Sequence, residues 1–147
     1  MSTTNLLVQL IRSCTKEEFD KLVTTYLKVV MHYSLVINSD GPGDGGIDIR
    51  VLDKDGRKQQ FQLTIQKNET NAKMKDLEQK ILSDCKKASN NHMSFGYDKA
   101  LQFFYSQMLS NSTRRNLEKK ARDNSGIELT ILDASDIADI AVQYPEL

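Results

Sequence analysis

Asp48, Gln62 and Thr64 are the side chains whose types and spacing most invite chemistry. They belong to one stretch, Gly41 to Lys67, GPGDGGIDIRVLDKDGRKQQFQLTIQK. Ile47, Ile49 and Val51 alternate with Asp48, Arg50 and Leu52; Phe61, Leu63 and Ile65 alternate with Gln62, Thr64 and Gln66. Two period-two runs around a Lys54-Asp55-Gly56 turn predict a β-hairpin. If the odd-numbered apolar residues of both strands share a core face, odd must lie opposite odd. That requires a loop with an odd number of residues, such as Lys54-Asp55-Gly56 with its glycine left-handed. A two-residue Asp55-Gly56 loop would set Phe61 opposite Arg50 and split the apolar face. The odd loop gathers Asp48, Gln62 and Thr64 on the other face: a carboxylate, an amide and a hydroxyl beside a glycine-rich loop. The same alternation also describes the solvated outer face of an ordinary hairpin.

The loop Gly41-Pro42-Gly43-Asp44-Gly45-Gly46 has four glycines in six residues. It permits positive φ and the close approach of another group. It is not a phosphate-binding loop, because no Gly-Lys-Ser/Thr follows and it enters a strand rather than a helix. His32 and His92 have no partner spacing, and Ser94, Ser106 and the two cysteines lack the context of an activated nucleophile.

The elements that must position these groups read in order. Leu6, Leu7, Leu10 and Ile11 suggest one or two helical turns between Thr4 and Ile11. Thr15 and Glu18 form a capping box ahead of a helix with Phe19, Leu22, Val23, Tyr26, Leu27 and Val30 on one face. Tyr33 to Ile37 predicts a strand, followed by the loop and the hairpin. Met74, Leu77, Ile81 and Cys85 mark a helix from Asn71, with Lys73, Lys80 and Lys87 along another face; Ser89-Asn90-Asn91-His92 is its expected polar break. Lys99 to Ser106 predicts a buried strand. Ser112 is expected to cap a basic helix, Thr113 to Asp123, stopped by Gly126. Ile127 to Leu132 predicts a last strand, and Ser135 the cap of a last helix. The order α-β-β-β-α-β-α-β-α specifies an α/β fold, a mixed central sheet flanked by helices.

Composition sets the frame. The 147 residues suit one domain, and 20 basic against 20 acidic residues leave no global field toward nucleic acid or membrane. Cys14 and Cys85 read as free thiols of a reducing compartment. No run of about 18 apolar residues would span a bilayer, and no charged-then-apolar leader is seen. The expectation is a cytoplasmic domain with no membrane contact.

Several of these pieces together resemble the Mrr-type branch of the PD-(D/E)xK restriction-endonuclease-like superfamily. They are Glu18-Phe19-Asp20, Gly43-Asp44-Gly45-Gly46-Ile47-Asp48, Gln62-Leu63-Thr64 and the ending IELTILDASDIADI from Ile127 to Ile140. The resemblance covers nearly the whole chain and implies a restriction-endonuclease-like core. It further implies a metal-dependent DNA endonuclease, as in restriction or phage defence, with Mg²⁺ or Mn²⁺ as cofactor. Hydrolysis of a phosphodiester uses a hard cation held by oxygen ligands. Asp48 would be the principal ligand, with the Gln62 side chain and the Leu63 carbonyl close by and Asp20 completing the site. The family's lysine, two residues after the Gln, is here Thr64, which carries no positive charge. Lys67 falls on the core face, whereas Lys73 or Lys75 could reach the site from the next helix. Lys54, Arg57 and Lys58 at the hairpin tip, Lys73, and Arg114 and Arg115 on the basic helix are the expected DNA contacts.

Two other readings stand beside the endonuclease: a nuclease-fold module that binds nucleic acid or a protein without cutting, and an assembly domain of a longer polypeptide. A homodimer would suit cleavage of both strands of a duplex.

Overall fold

Caps, more than the ends of the apolar stripes, set where the helices begin. The computed structural model describes residues 3–29, 35–38, 49–52, 58–65 and 71–143. The elements are α1 (Thr3–Arg12), α2 (Lys16–Val29), β1 (Leu35–Asn38), β2 (Ile49–Leu52), β3 (Lys58–Thr64), α3 (Asn71–Phe95), β4 (Ala100–Tyr105), α4 (Asn111–Ser125), β5 (Glu128–Leu132) and α5 (Ala134–Gln143). The expected capping box forms ahead of α2: the Glu18 amide donates to Thr15 Oγ1 at 3.2 Å, and the Thr15 amide donates to Glu18 Oε1 at 3.0 Å.

Three local expectations are corrected. The short N-terminal turn is a full helix, α1, so the order gains an element. Ser110, not Ser112, caps α4, its Oγ accepting from the Thr113 amide at 3.2 Å. Asp133, not Ser135, caps α5, its Oδ1 accepting from the Ser135 and Asp136 amides at 3.0 and 3.1 Å. In both places a polar residue two positions earlier reaches the free amides of the first turn, and the later serine is drawn into or beside the helix. Gly126 closes α4 as expected, with φ 68° and its amide on Arg122 O.

The polar run Ser89–His92 does not end α3, which continues to Phe95 and stops at Gly96, φ 75°. These polar groups find partners inside the fold instead of solvating a turn. Asn91 is buried and its Nδ2 donates to Gln60 Oε1 at 3.3 Å, while Gln60 Nε2 donates to Ala88 O at 3.0 Å. His92 Nδ1 lies 2.6 Å from Tyr97 O.

The five strands lie in chain order, β1-β2-β3-β4-β5. β1, β2 and β3 pair antiparallel, and β3, β4 and β5 parallel. The hairpin register pairs Ile49 with Phe61 and Val51 with Gln59, odd opposite odd, as the shared apolar face requires. The turn itself, residues 53–57, lies outside the described residues.

The result is a mixed α/β sheet with helices on both faces. α3 and α4 cover one face: Leu77, Ile81 and Cys85 meet Leu101, Phe103 and Tyr105 of β4, and Leu117 meets Leu129 and Ile131 of β5. α1, α2 and α5 cover the other: Ile11, Phe19, Val23, Leu27 and Ile137 enclose Phe61 and Leu63 of β3 and Phe104 of β4. Each fully buried Phe or Leu contributes about 1.5–3 kcal/mol of transfer free energy. β3 therefore runs between two helical layers. Its even face is not a solvated hairpin surface, because Gln60 and Gln62 are buried on it.

No helix among the described residues is long and apolar enough to cross a membrane. Both cysteines are free thiols. Burial, with the Asp84 charge adding to it, pushes the Cys85 thiol up to about 12, and burial followed by Glu18 raises Cys14. Since the thiolate is the reactive form, alkylation of native protein at pH 8 should be slow at Cys14 and undetectable at Cys85. Mass spectrometry should find both labelled after denaturation; rapid native labelling of Cys85 would contradict this packing.

Candidate active site on the α3 face of β3

The glutamines of β3 and a charged flank of α3 meet on one face of the sheet. Gln62 is 4% exposed. In the parallel ladder it lies beside Phe103, and Thr64 beside Tyr105. Phe103 and Tyr105 both belong to the core under α3, so Gln62 and Thr64 face that layer with Gln60. Thr64 is half-buried at the end of the strand. The Ser106 amide donates to Thr64 O at 3.2 Å, so alternation along the ladder turns the Leu63 carbonyl away from β4, toward β2. An amide oxygen and a main-chain carbonyl are thus presented at neighbouring positions of a central strand.

Asp48, the expected principal ligand, and the whole glycine loop lie outside the described residues, as do Lys54, Arg57 and Lys67. Asp20 is not brought to Gln62. Its helix, α2, packs through Phe19 and Val23 on the Phe61 and Leu63 side of β3, the opposite face of the sheet. There Asp20 lines an open groove with Glu17, Glu18, Lys21 and Thr24. A helical stripe shows which residues turn inward, not which layer the helix joins, so this placement is not legible in the sequence. Among the described residues no group of three or more His, Cys, Asp or Glu side chains could hold a metal ion.

The expected DNA contacts divide. Lys58 Nζ donates to Phe95 O at 3.0 Å and stands 5.4 Å from the Tyr97 ring centroid, so its charge caps the C-terminal end of α3. Arg114 is committed to the fold: Nη1 lies 2.7 Å from Asp136 Oδ2, and Nη2 lies 3.0 Å from Asp133 Oδ2. Arg115, Lys119 and Arg122 remain exposed along α4, and Lys73 lies in the first turn of α3.

From the sequence, Lys80 stood only on a lysine face with Lys73 and Lys87, and Asp84 was not singled out. Lys80 Nζ and Asp84 Oδ2 are 3.1 Å apart, with side-chain exposures of 41% and 6%, and Nζ stands 6.0 Å from the Phe103 ring centroid. Burial raises the Asp84 carboxyl above its ordinary range, against the lowering influence of Lys80 and then Lys87. The available signal was spacing. Lys80, Asp84, Ala88 and Asn91 recur at i, i+4, i+8 and i+11, a second stripe flanking the apolar one. Compared with models of protein families, with curated proteins and with solved structures, the chain finds no match.

Proposed function

We propose that this chain is a metal-dependent DNA endonuclease domain of the PD-(D/E)xK restriction-endonuclease-like type, working on the α3 face of β3. The observation that carries the reading is Gln62, a polar side chain buried on the central strand in the Gln62-Leu63-Thr64 motif. The strand that follows Asp48 runs beside it in the register Ile49 to Phe61. The described donors fit a hard cation in kind: the Gln62 amide oxygen and the Leu63 carbonyl are oxygen ligands, and the required negative charge would come from Asp48. Mg²⁺ or Mn²⁺ held there would supply Lewis acidity at the phosphodiester. The chain's own groups would then bind and orient: Gln62 is buried beside Phe103 on a central strand, and the exposed cations of α4 attract the phosphate backbone.

The test is cleavage of supercoiled and linear DNA in Mn²⁺ or Mg²⁺. Wild type should cut and Asp48→Ala should not. Mn²⁺ at 100 times its Kd should also stabilise wild type by about 2.7 kcal/mol in a thermal shift, and Asp48→Ala should lose that shift. Thr64 favours a second reading, a module of the same fold that holds nucleic acid without cutting, because a hydroxyl cannot supply the lysine's positive charge. Metal-dependent stabilisation and DNA binding without any cutting would decide for it. Absence of both metal and DNA binding would remove both readings and leave an assembly domain.

A further inference from the structure

We infer that Lys80 of α3 supplies the positive charge that Thr64 lacks, so that the site's cation comes from the helix rather than from the strand. This rests on the nuclease reading above.

α3 connects the parallel neighbours β3 and β4, so it runs opposite to them. Ala88 and Asn91 are fastened to Gln60 of β3, through Gln60 Nε2 to Ala88 O and Asn91 Nδ2 to Gln60 Oε1. Stepping back along α3 from that anchor, through Asp84 to Lys80, therefore steps forward along β3, through Gln62 to Thr64. Lys80 Nζ stands near Phe103, the residue directly beside Gln62 in the sheet. The other flank of α3 carries Glu78, ion-paired to Lys120 of α4, so the Lys80 flank points away from α4 and toward β3.

The pair is also unlike an ordinary helix-surface salt bridge, in which both members sit in water. Here the carboxylate is buried and the ammonium is the exposed partner. A buried carboxylate needs a partner for its charge, so Asp84 fixes where Nζ stands. Asp84 is a positioning residue; Lys80 is the group that would touch the phosphate.

In the hydrolysis, a water oxygen forms a bond to phosphorus and the bond from phosphorus to the leaving sugar oxygen breaks. The water gives up one proton and the leaving oxygen takes one. The Lys80 ammonium is not consumed. It offsets the negative charge that builds on the phosphate oxygens during the exchange.

The experiment measures DNA cleavage and DNA affinity for wild type, Lys80→Met, Lys80→Arg, Lys86→Met and Lys80→Met/Thr64→Lys, each checked for folding by circular dichroism; Lys86 is an exposed lysine of the same helix. Lys80→Met should lose roughly 100-fold or more in cleavage rate with DNA affinity little changed. Lys80→Arg should retain part of the rate, Lys86→Met nearly all of it, and Thr64→Lys should restore cutting to Lys80→Met. If wild type cuts and Lys80→Met cuts equally well, the inference falls while the nuclease reading stands. An equal loss in Lys86→Met, or a Lys80→Met loss that Thr64→Lys does not restore, also overturns it. If wild type does not cut, both fall.

Discussion

Asp133→Ala should lower stability by about 3–5 kcal/mol, the cost of breaking a buried charged network from one side. Asp133 is fully buried at the junction of β5 and α5. Its Oδ2 accepts from the Leu109 amide at 3.0 Å and pairs with Arg114 at 3.0 Å. Its Oδ1 accepts from the Ser135 hydroxyl at 2.7 Å and from the Ser135 and Asp136 amides. Alanine would uncap α5, strand the buried Leu109 amide and leave Arg114 with Asp136 as its remaining carboxylate. Asp133→Asn should cost less, about 2 kcal/mol, because Oδ1 can still cap the helix while an amide nitrogen opposes the donors on the other side.

The same carboxylate gives a pH dependence of known sign. Burial alone would raise its pKa. Hydrogen bonds from Leu109, Ser135 and Asp136, with the Arg114 guanidinium, outweigh burial and hold it below the usual range. A group with a depressed folded pKa stabilises above its unfolded value, about 3.9, and loses that contribution as pH falls through the folded value. Urea unfolding should show wild type losing stability below about pH 4. Asp133→Ala should start lower at pH 7 and lose less on acidification; an equally steep acid limb in the variant would refute the assignment.

Phe104→Ala should cost about 3–5 kcal/mol as well, by a different route. Phe104 projects from β4 into the layer of α1, α2 and α5, where it is 1% exposed. Its ring stacks on Phe61 with centroids 6.2 Å apart and meets Tyr26 edge-on at 5.8 Å. Removal leaves a cavity walled by two aromatic rings on separate elements, which cannot both move in without breaking the β3–β4 register. Equilibrium unfolding in urea should give the loss with little change in slope. A cost below about 1 kcal/mol would mean that the site collapses freely.

How far the sequence could be read depends on where each signal resides. Phe19, Val23 and Leu27 are a local helical stripe, and the stripe alone predicts their burial. Parity between Ile49 and Phe61 is likewise a property of two adjacent segments and their turn. A solvated face was a wrong setting for Gln62, because period two assigns faces without saying what covers them. α3 covers this one, and its Asn91, read as part of a polar break, is bonded to Gln60 of β3. Arg114 looked like part of a basic face because its two carboxylate partners lie about 20 residues further along, beyond any helical spacing. Of the candidate site, Gln62, Leu63 and Thr64 were legible as a motif. The layer of Asp20 and the place of Lys80 were not, since both depend on tertiary packing.

Because the strands stand side by side in the order in which they are made, no later strand has to be threaded between two earlier ones. The sheet can lengthen at one edge while the chain is still emerging from the ribosome. α1 is the exception: it packs against α5, and Arg12 Nε donates to Gln107 Oε1 at 2.8 Å. The first described helix therefore waits for the last one. Until α5 is synthesised, the apolar side of α1 has no native cover, and that interval is when a nascent chain of this fold is most exposed to chaperones and to misassociation.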